Sequence, residues 1–247
     1  MKDAEKEFLD ACNNVKRHIV PYKTNLKKVR VGDEMDGGYV LCDLDNYDAL
    51  YSYGSNDQIS FEKHFYKKYE KPCYVYDHTI DRITDKPEYI HFFKEGVSDV
   101  KSTVMDTVDN HIEKNGHTES KNLLAQIDIE GGEWNMFNNI KYLTNFSQIL
   151  VEFHMYTVDF IRKRHIVDYV FSKINKDFVC VHVHGNNGPV QPWLDVNLPI
   201  IFECTFVRKD LVTEKEIEPE IFPVKGLDFP NDPERPDLTL NFWHSLT

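Results

Sequence analysis

Apolar residues at Phe8, Leu9, Cys12, Val15 and Ile19 recur at helical spacing, which predicts an amphipathic helix over residues 3–18. Residues 27–42 alternate instead, around Asp36-Gly37-Gly38, and predict two short strands joined by a turn. Beyond them the pattern changes again. Short apolar runs at 49–53, 73–76, 89–93, 123–129, 148–153, 178–183 and 200–207 alternate with longer segments, with helices predicted near 58–70, 100–114, 134–141 and 157–173. That alternation predicts an α/β fold, a mostly parallel sheet with helices on both faces. No clear helix separates the last two runs, so an antiparallel pair is expected at one edge of the sheet. The tail from Leu211 is rich in Glu and Pro and is expected to wrap the surface. The expected organisation is one domain over 1–247: an N-terminal helix and hairpin (1–48), an α/β core (49–210) and the tail (211–247).

Composition narrows the partners. The 247 residues suit one large domain, with two small ones as the alternative. A net charge of −12 and a pI near 5.4 disfavour nucleic acid and anionic membranes as main partners. The short basic runs Lys67-Lys68 and Arg162-Lys163-Arg164 read as solvated helix faces. Cys12, Cys42, Cys73, Cys180 and Cys204 are too far apart to form a metal knuckle or redox pair, and read as reduced thiols of a cytoplasmic protein. The first residues are charged and amphipathic, unlike a signal peptide. No apolar run approaches the roughly 20 residues of a membrane span.

Ligands in such sheets lie outside the carboxyl ends of the strands. The first core strand ends in Gly54, Ser55 and Asn56, where a glycine permits close backbone approach. Asp57 and Ser60 are placed to cap the next helix. The second strand ends in Asp77 and His78; an acid there suits a ribose diol, the alternative being a helix or turn cap. Val97, in the turn after the third strand, is placed against an adenine ring, unless that turn only starts a helix. Neither a G-x-G-x-x-G fingerprint nor a phosphate loop is present. That favours a sulfonium cofactor, which carries no pyrophosphate, over NAD.

The fourth strand carries Ile127-Asp128-Ile129-Glu130-Gly131-Gly132-Glu133, which resembles the signature of the FkbM-like methyltransferases. Other pieces follow in order: Arg30-Val31-Gly32 with Asp36 to Val40, Tyr51 to Glu62, Val151 to His154, and the aromatic tail at Asn241-Phe242-Trp243. Gln126 stands where lysine is commoner. The resemblance runs from about residue 28 onward. It implies a Rossmann-like, seven-stranded methyltransferase sheet that binds S-adenosylmethionine. It also implies methyl transfer to an oxygen, often a sugar hydroxyl in polysaccharide, glycolipid or antibiotic assembly.

An alcohol is a poor nucleophile at neutral pH, so an O-methyltransferase must align it and remove its proton. Asp128 and Glu130, Glu152 and His154, and His182 and His184 each sit two apart at a strand end, so each pair faces one side. Together they mark a reaction centre; singly, each reads equally as a satisfied polar group. His154 is the candidate base, with a pKa suited to neutrality, and His184 the alternative. Glu152 is placed to orient His154 or to bind a sugar, and Asp128 to face the cofactor's amino group or the acceptor. A magnesium or manganese ion on Asp128, Glu152 and His154 or His184 is a further option. Tyr39 is expected to close over the cofactor or to pack as an ordinary aromatic, and Trp134 and Phe137 to sit in the core. Glu130, His182, Asn186 and Trp193 are assigned to a sugar or nucleotide-sugar substrate. The segments 230–233 and 235–237 are read as a lid. The competing classes are a non-sugar acceptor, a non-catalytic cofactor scaffold and an NAD enzyme.

Overall fold

The apolar stripe at the N-terminus becomes α1 (Lys2–His18), with Phe8, Cys12 and Val15 buried and Leu9 at the exposed margin. It packs against α5 (Arg164–Asp177). The alternating segment becomes β1 (Lys28–Val31) and β2 (Tyr39–Cys42), an antiparallel pair with Arg30 opposite Val40. The computed structural model describes residues 2–155, 164–188, 198–213 and 216–245.

The apolar runs form one seven-stranded sheet. Its members are β3 (Ala49–Tyr53), β4 (Cys73–Tyr76), β5 (Ile90–Phe93), β8 (Leu123–Ile127), β9 (Phe146–His154), β10 (Phe178–Gly185) and β11 (Ile201–Arg208). The order across the sheet is β10-β11-β9-β8-β3-β4-β5, and β11 alone runs against its neighbours. The antiparallel pair is therefore at one edge as expected, but the last strand is not itself the edge: β11 inserts between β9 and β10. Strands such as β3, β8 and β9 are buried at every position, which is why they read as continuous apolar runs.

Helices α2 (Ser60–Tyr69), α3 (Val108–Lys114) and α4 (Glu133–Met136) connect the strands. The helix expected from 100 starts only at Val108, because β6 (Gly96–Val97) pairs with β7 (Met105–Asp106) before Thr107 caps α3. The helix expected over 134–141 is one α turn followed by a 3₁₀ turn at Phe137–Asn139. The first part of the helix expected over 157–173 lies outside the described residues. Asp57 does not cap α2: its carboxylate accepts the backbone N–H and hydroxyl of Thr84, and Ile59 is the cap residue.

The tail does more than wrap the surface. Phe222, Leu240, Phe242 and Trp243 are buried and join the cluster formed by α1, α5 and the sheet. Trp134 and Phe137 lie in that core as expected, with Trp134 packed on Phe153 and Phe171. All five cysteines are buried and unpaired. No described helix is long and apolar enough to cross a membrane.

Candidate active site

The carboxyl ends of β3, β4 and β8 open into a cleft of about 350 Å³. Gly54 makes its floor possible. Its φ is +85°, and a Cβ there would lie 1.7 Å from the Asp128 carbonyl oxygen. Two strand ends thus approach as closely as backbone allows. Ser55 and Asn56 follow along the wall, and Asp77 and His78 face them from β4. Asp77 organises both turns: Oδ2 accepts the Asn56 N–H at 2.8 Å, and Oδ1 accepts the Thr79 N–H and hydroxyl. The capping role is therefore present, while Oδ2 keeps a lone pair for a ligand. Val97 lines the cleft from β6, beside Met105. The turn after the third strand is therefore strand β6 and not a helix start.

Beyond Gly54 the character changes from turn backbone to charge. Residues Glu130 and Gly131 both have positive φ, +53° and +97°. Glu133, fully buried, holds this turn by accepting the N–H groups of Ile129 and Gly131 through Oε1. The same oxygen lies 3.1 Å from His154 Nδ1. On the far side of the imidazole, Nε2 is 3.4 Å from Glu130 Oε2 and 3.9 Å from Asp128 Oδ1. Glu133, not Glu152, therefore orients His154. Asp128, Glu130 and His154 bring one ligand atom each within 4.8 Å of one another. Glu130 takes the place that the sequence had suggested for Glu152. Glu152 instead accepts the Tyr39 hydroxyl at 3.4 Å and the Asn186 amide at 2.9 Å. Tyr39, buried at the start of β2, also reaches Asp128 Oδ2 at 3.5 Å. It bridges the two carboxylates from above.

Burial raises the Asp128 carboxyl to about 7; His154 opposes this, while Glu130, Glu133 and Asp36 add to it. Burial and the charges of Asp128 and Glu203 push Glu152 well above the carboxylate range. Burial alone would lower His154, but its bond to Glu133 and the charges of Glu133, Asp128 and Glu130 outweigh this and raise it. The surrounding acids thus favour the protonated imidazole more than in an isolated histidine.

His182 and His184 do not join this group. His182 Nε2 lies 2.7 Å from Asp228, and His184 Nε2 lies 3.1 Å from both oxygens of Asp237, with Nδ1 3.5 Å from Glu203. Both imidazoles are buried beneath the tail, outside the cleft lining. Burial lowers His182 against the pull of Asp228. Burial also acts against His184, but Glu203 and Asp237 hold it up to about 10. The segment read as a lid is tied to this end of β10 by Asn187 and Asp237. Trp193 lies outside the described residues. Sequence reasoning missed Glu62, Gln126, Glu133 and Glu203. Glu133 stands in the quoted signature and Glu203 at an inward position of the last run, so both carried a signal.

The family model described as Methyltransferase domain matches residues 11–190, and the chain belongs to that family. By family it carries a methyltransferase domain, here on a mostly parallel seven-stranded sheet. No curated protein matches the sequence. Among solved structures, the chain is similar to a "Putative hemolysin from Streptococcus thermophilus" at 10% identity and TM-score 0.38, covering 68% of this chain and 62% of that one. A "predicted O-methyltransferase" from Agrobacterium tumefaciens matches at 8% identity and TM-score 0.39, covering 68% and 77%. The plantazolicin methyltransferase BpumL in complex with SAH matches at 10% identity and TM-score 0.29, covering 82% and 84%. The chain thus spans less than two thirds of the first of these structures. Likeness at this level says nothing of what this chain binds.

Proposed function

We propose that the chain methylates a hydroxyl of a carbohydrate, a glycan or nucleotide-linked sugar, as its FkbM-like signature implies. The observation that carries this reading is the wall beyond Asp128. Tyr39 and Glu130 line the cleft there, with Glu152, His154 and Asn186 close behind them, a polar surround that suits a polyol better than an apolar aromatic acceptor.

The cleft residues fit S-adenosylmethionine. Gly54 leaves backbone exposed where a Cβ would collide, and Gly96 does the same beside His78 and Met105. Asp77 keeps acceptor capacity for the ribose, and Val97 and Met105 offer apolar contact for the adenine. When bound, the cofactor supplies a methyl group on a sulfonium that leaves readily. The chain then has two tasks. Asp128, poised near neutrality, accepts the proton of the acceptor hydroxyl. His154, held by Glu133, keeps Asp128 ionised by its charge; His154 as the base itself is the alternative. Glu152 and Asn186 hold neighbouring sugar hydroxyls, while His182 and His184 brace the strand that leads into Asn186. A single domain over 1–247 accords with the tail's place in the common core.

Calorimetric titration with S-adenosylhomocysteine, followed by methyl-transfer assays on nucleotide sugars and glycans, tests this. No binding of the product cofactor would sink the reading; turnover of aromatic acceptors alone would replace the sugar. A second reading places a magnesium or manganese ion on Asp128, Glu130 and His154, favoured by their convergence. Manganese binding that is lost in Glu130→Gln supports it, and unchanged titration of that variant removes it.

A further inference from the structure

Glu62 lies in the first turn of α2, lines the cleft, and is 1% exposed. Its Oε1 accepts the hydroxyl of Ser52, which also sits 2.9 Å from the Gln126 side-chain amide. Its Oε2 is buried and has no hydrogen-bond partner. No ion pair joins Glu62 to any described residue. Burial raises its carboxyl to about 6, against the Ser52 bond, so it is still mostly ionised at neutral pH. An acid in the first turn favours the helix dipole, but an exposed one serves that purpose equally well. Burying a carboxylate with one oxygen unpaired is costly. The arrangement calls for a cationic donor arriving from the cleft.

S-adenosylmethionine carries two cations, and only one can donate hydrogen bonds. The sulfonium has no N–H; the α-ammonium of the amino-acid moiety has three. The adenosine end is accounted for by Asp77 and Val97, and the reacting end by Asp128. We propose that Glu62 is the binding site for the cofactor's α-ammonium, with Ser52 and Gln126 fixing the carboxylate. Asp128 is thereby released for the acceptor. This rests on reading the cleft as the S-adenosylmethionine site.

The test is a binding cycle by calorimetry. S-adenosylhomocysteine is compared with its analogue lacking the amino group, on the wild type, Glu62→Gln and Asp128→Asn. The wild type is expected to prefer the amine by about 10- to 100-fold, the range of a charge-assisted hydrogen bond. Glu62→Gln should bind both ligands alike, and Asp128→Asn should keep the preference. 5′-Methylthioadenosine, which lacks the amino-acid chain, should bind the wild type and Glu62→Gln equally and so reports an intact cleft. An undiminished preference in Glu62→Gln, or its loss in Asp128→Asn alone, overturns the assignment. If Glu62→Gln fails to bind methylthioadenosine, Glu62→Asp reads the same cycle: a reduced preference supports the site, and a full one rejects it. Failure of the wild type to bind S-adenosylhomocysteine at all would instead refute the cofactor reading, and this inference with it.

Discussion

Replacing His154 by Asn separates two ways of removing the acceptor proton. His154 Nε2 lies 3.9 Å from Asp128 Oδ1, and its protonated form pairs with the carboxylate. Unit charges at that distance attract by about 4 kcal/mol at an effective dielectric near 20, and by about 1 kcal/mol in water. At roughly 1.4 kcal/mol per pH unit, losing the cation raises the Asp128 pKa by about one to three pH units. The Asp128 side chain is 27% exposed, so solvent screening favours the lower half of that span. Asp128 starts near 7 and must be ionised to act as a base. The acidic limb of the rate profile therefore moves to higher pH by about one to two pH units.

The assay is methyl transfer by His154→Asn from pH 6 to 10 with saturating cofactor. Activity at pH 7 should fall by about five- to fifty-fold and recover substantially toward pH 9. If His154 were itself the base, the loss would persist at every pH. A uniform loss would refute Asp128 as proton acceptor. An unshifted profile would refute the electrostatic coupling.

Gly54→Ala should lower Tm and abolish binding of S-adenosylhomocysteine, because the new Cβ meets the Asp128 carbonyl oxygen at positive φ; calorimetry showing wild-type affinity would refute the close-approach argument. Asp77→Asn should weaken the same ligand by about ten-fold or more, as expected when a carboxylate hydrogen bond to the ribose is lost; unchanged affinity would remove the ribose role. His184 is raised to about 10 in the fold against about 6.5 unfolded. Its stabilisation is thus complete below about 6.5 and is lost as pH rises toward 10. Wild-type Tm should fall across that window. His184→Gln should melt lower at pH 6, by about 3 kcal/mol of lost stability, and show a shallower fall; parallel curves for the two proteins would show that the ion pair is not what titrates.

The strands were legible because most are buried throughout and interrupted by helical stretches of different period. The two-residue pair β6–β7 was not, since two residues carry no period. The tail misled for a related reason: Phe222 and Leu240 enter the core from irregular, Pro-containing backbone and Trp243 from a single 3₁₀ turn, where spacing encodes no face. In the site, reading each strand end located Gly54, Asp77, Val97 and Asp128 along one cleft. Alternation alone could not say which acid meets which histidine. The left-handed turn at Glu130 and Gly131 decides that, turning Glu130 toward His154 and leaving Glu152 to Tyr39. Nor could it pair His182 with Asp228 or His184 with Asp237, since those contacts join residues 46 and 53 apart.

The inserted position of β11 governs how the chain is made. In the sheet β10 pairs with β11 alone, so it cannot be placed until the strand that follows it has left the ribosome. During that interval the edge of β9 is unpaired and open to strands of other chains. Translation delivers the acidic end of β9 before its antiparallel neighbour, and closure depends on a late, non-local pairing of the kind that folds slowly. Yield in a heterologous host should therefore follow chaperone supply and growth temperature, which act on nascent β9, more than the supply of cofactor, whose cleft between β3, β4 and β8 is assembled from earlier residues.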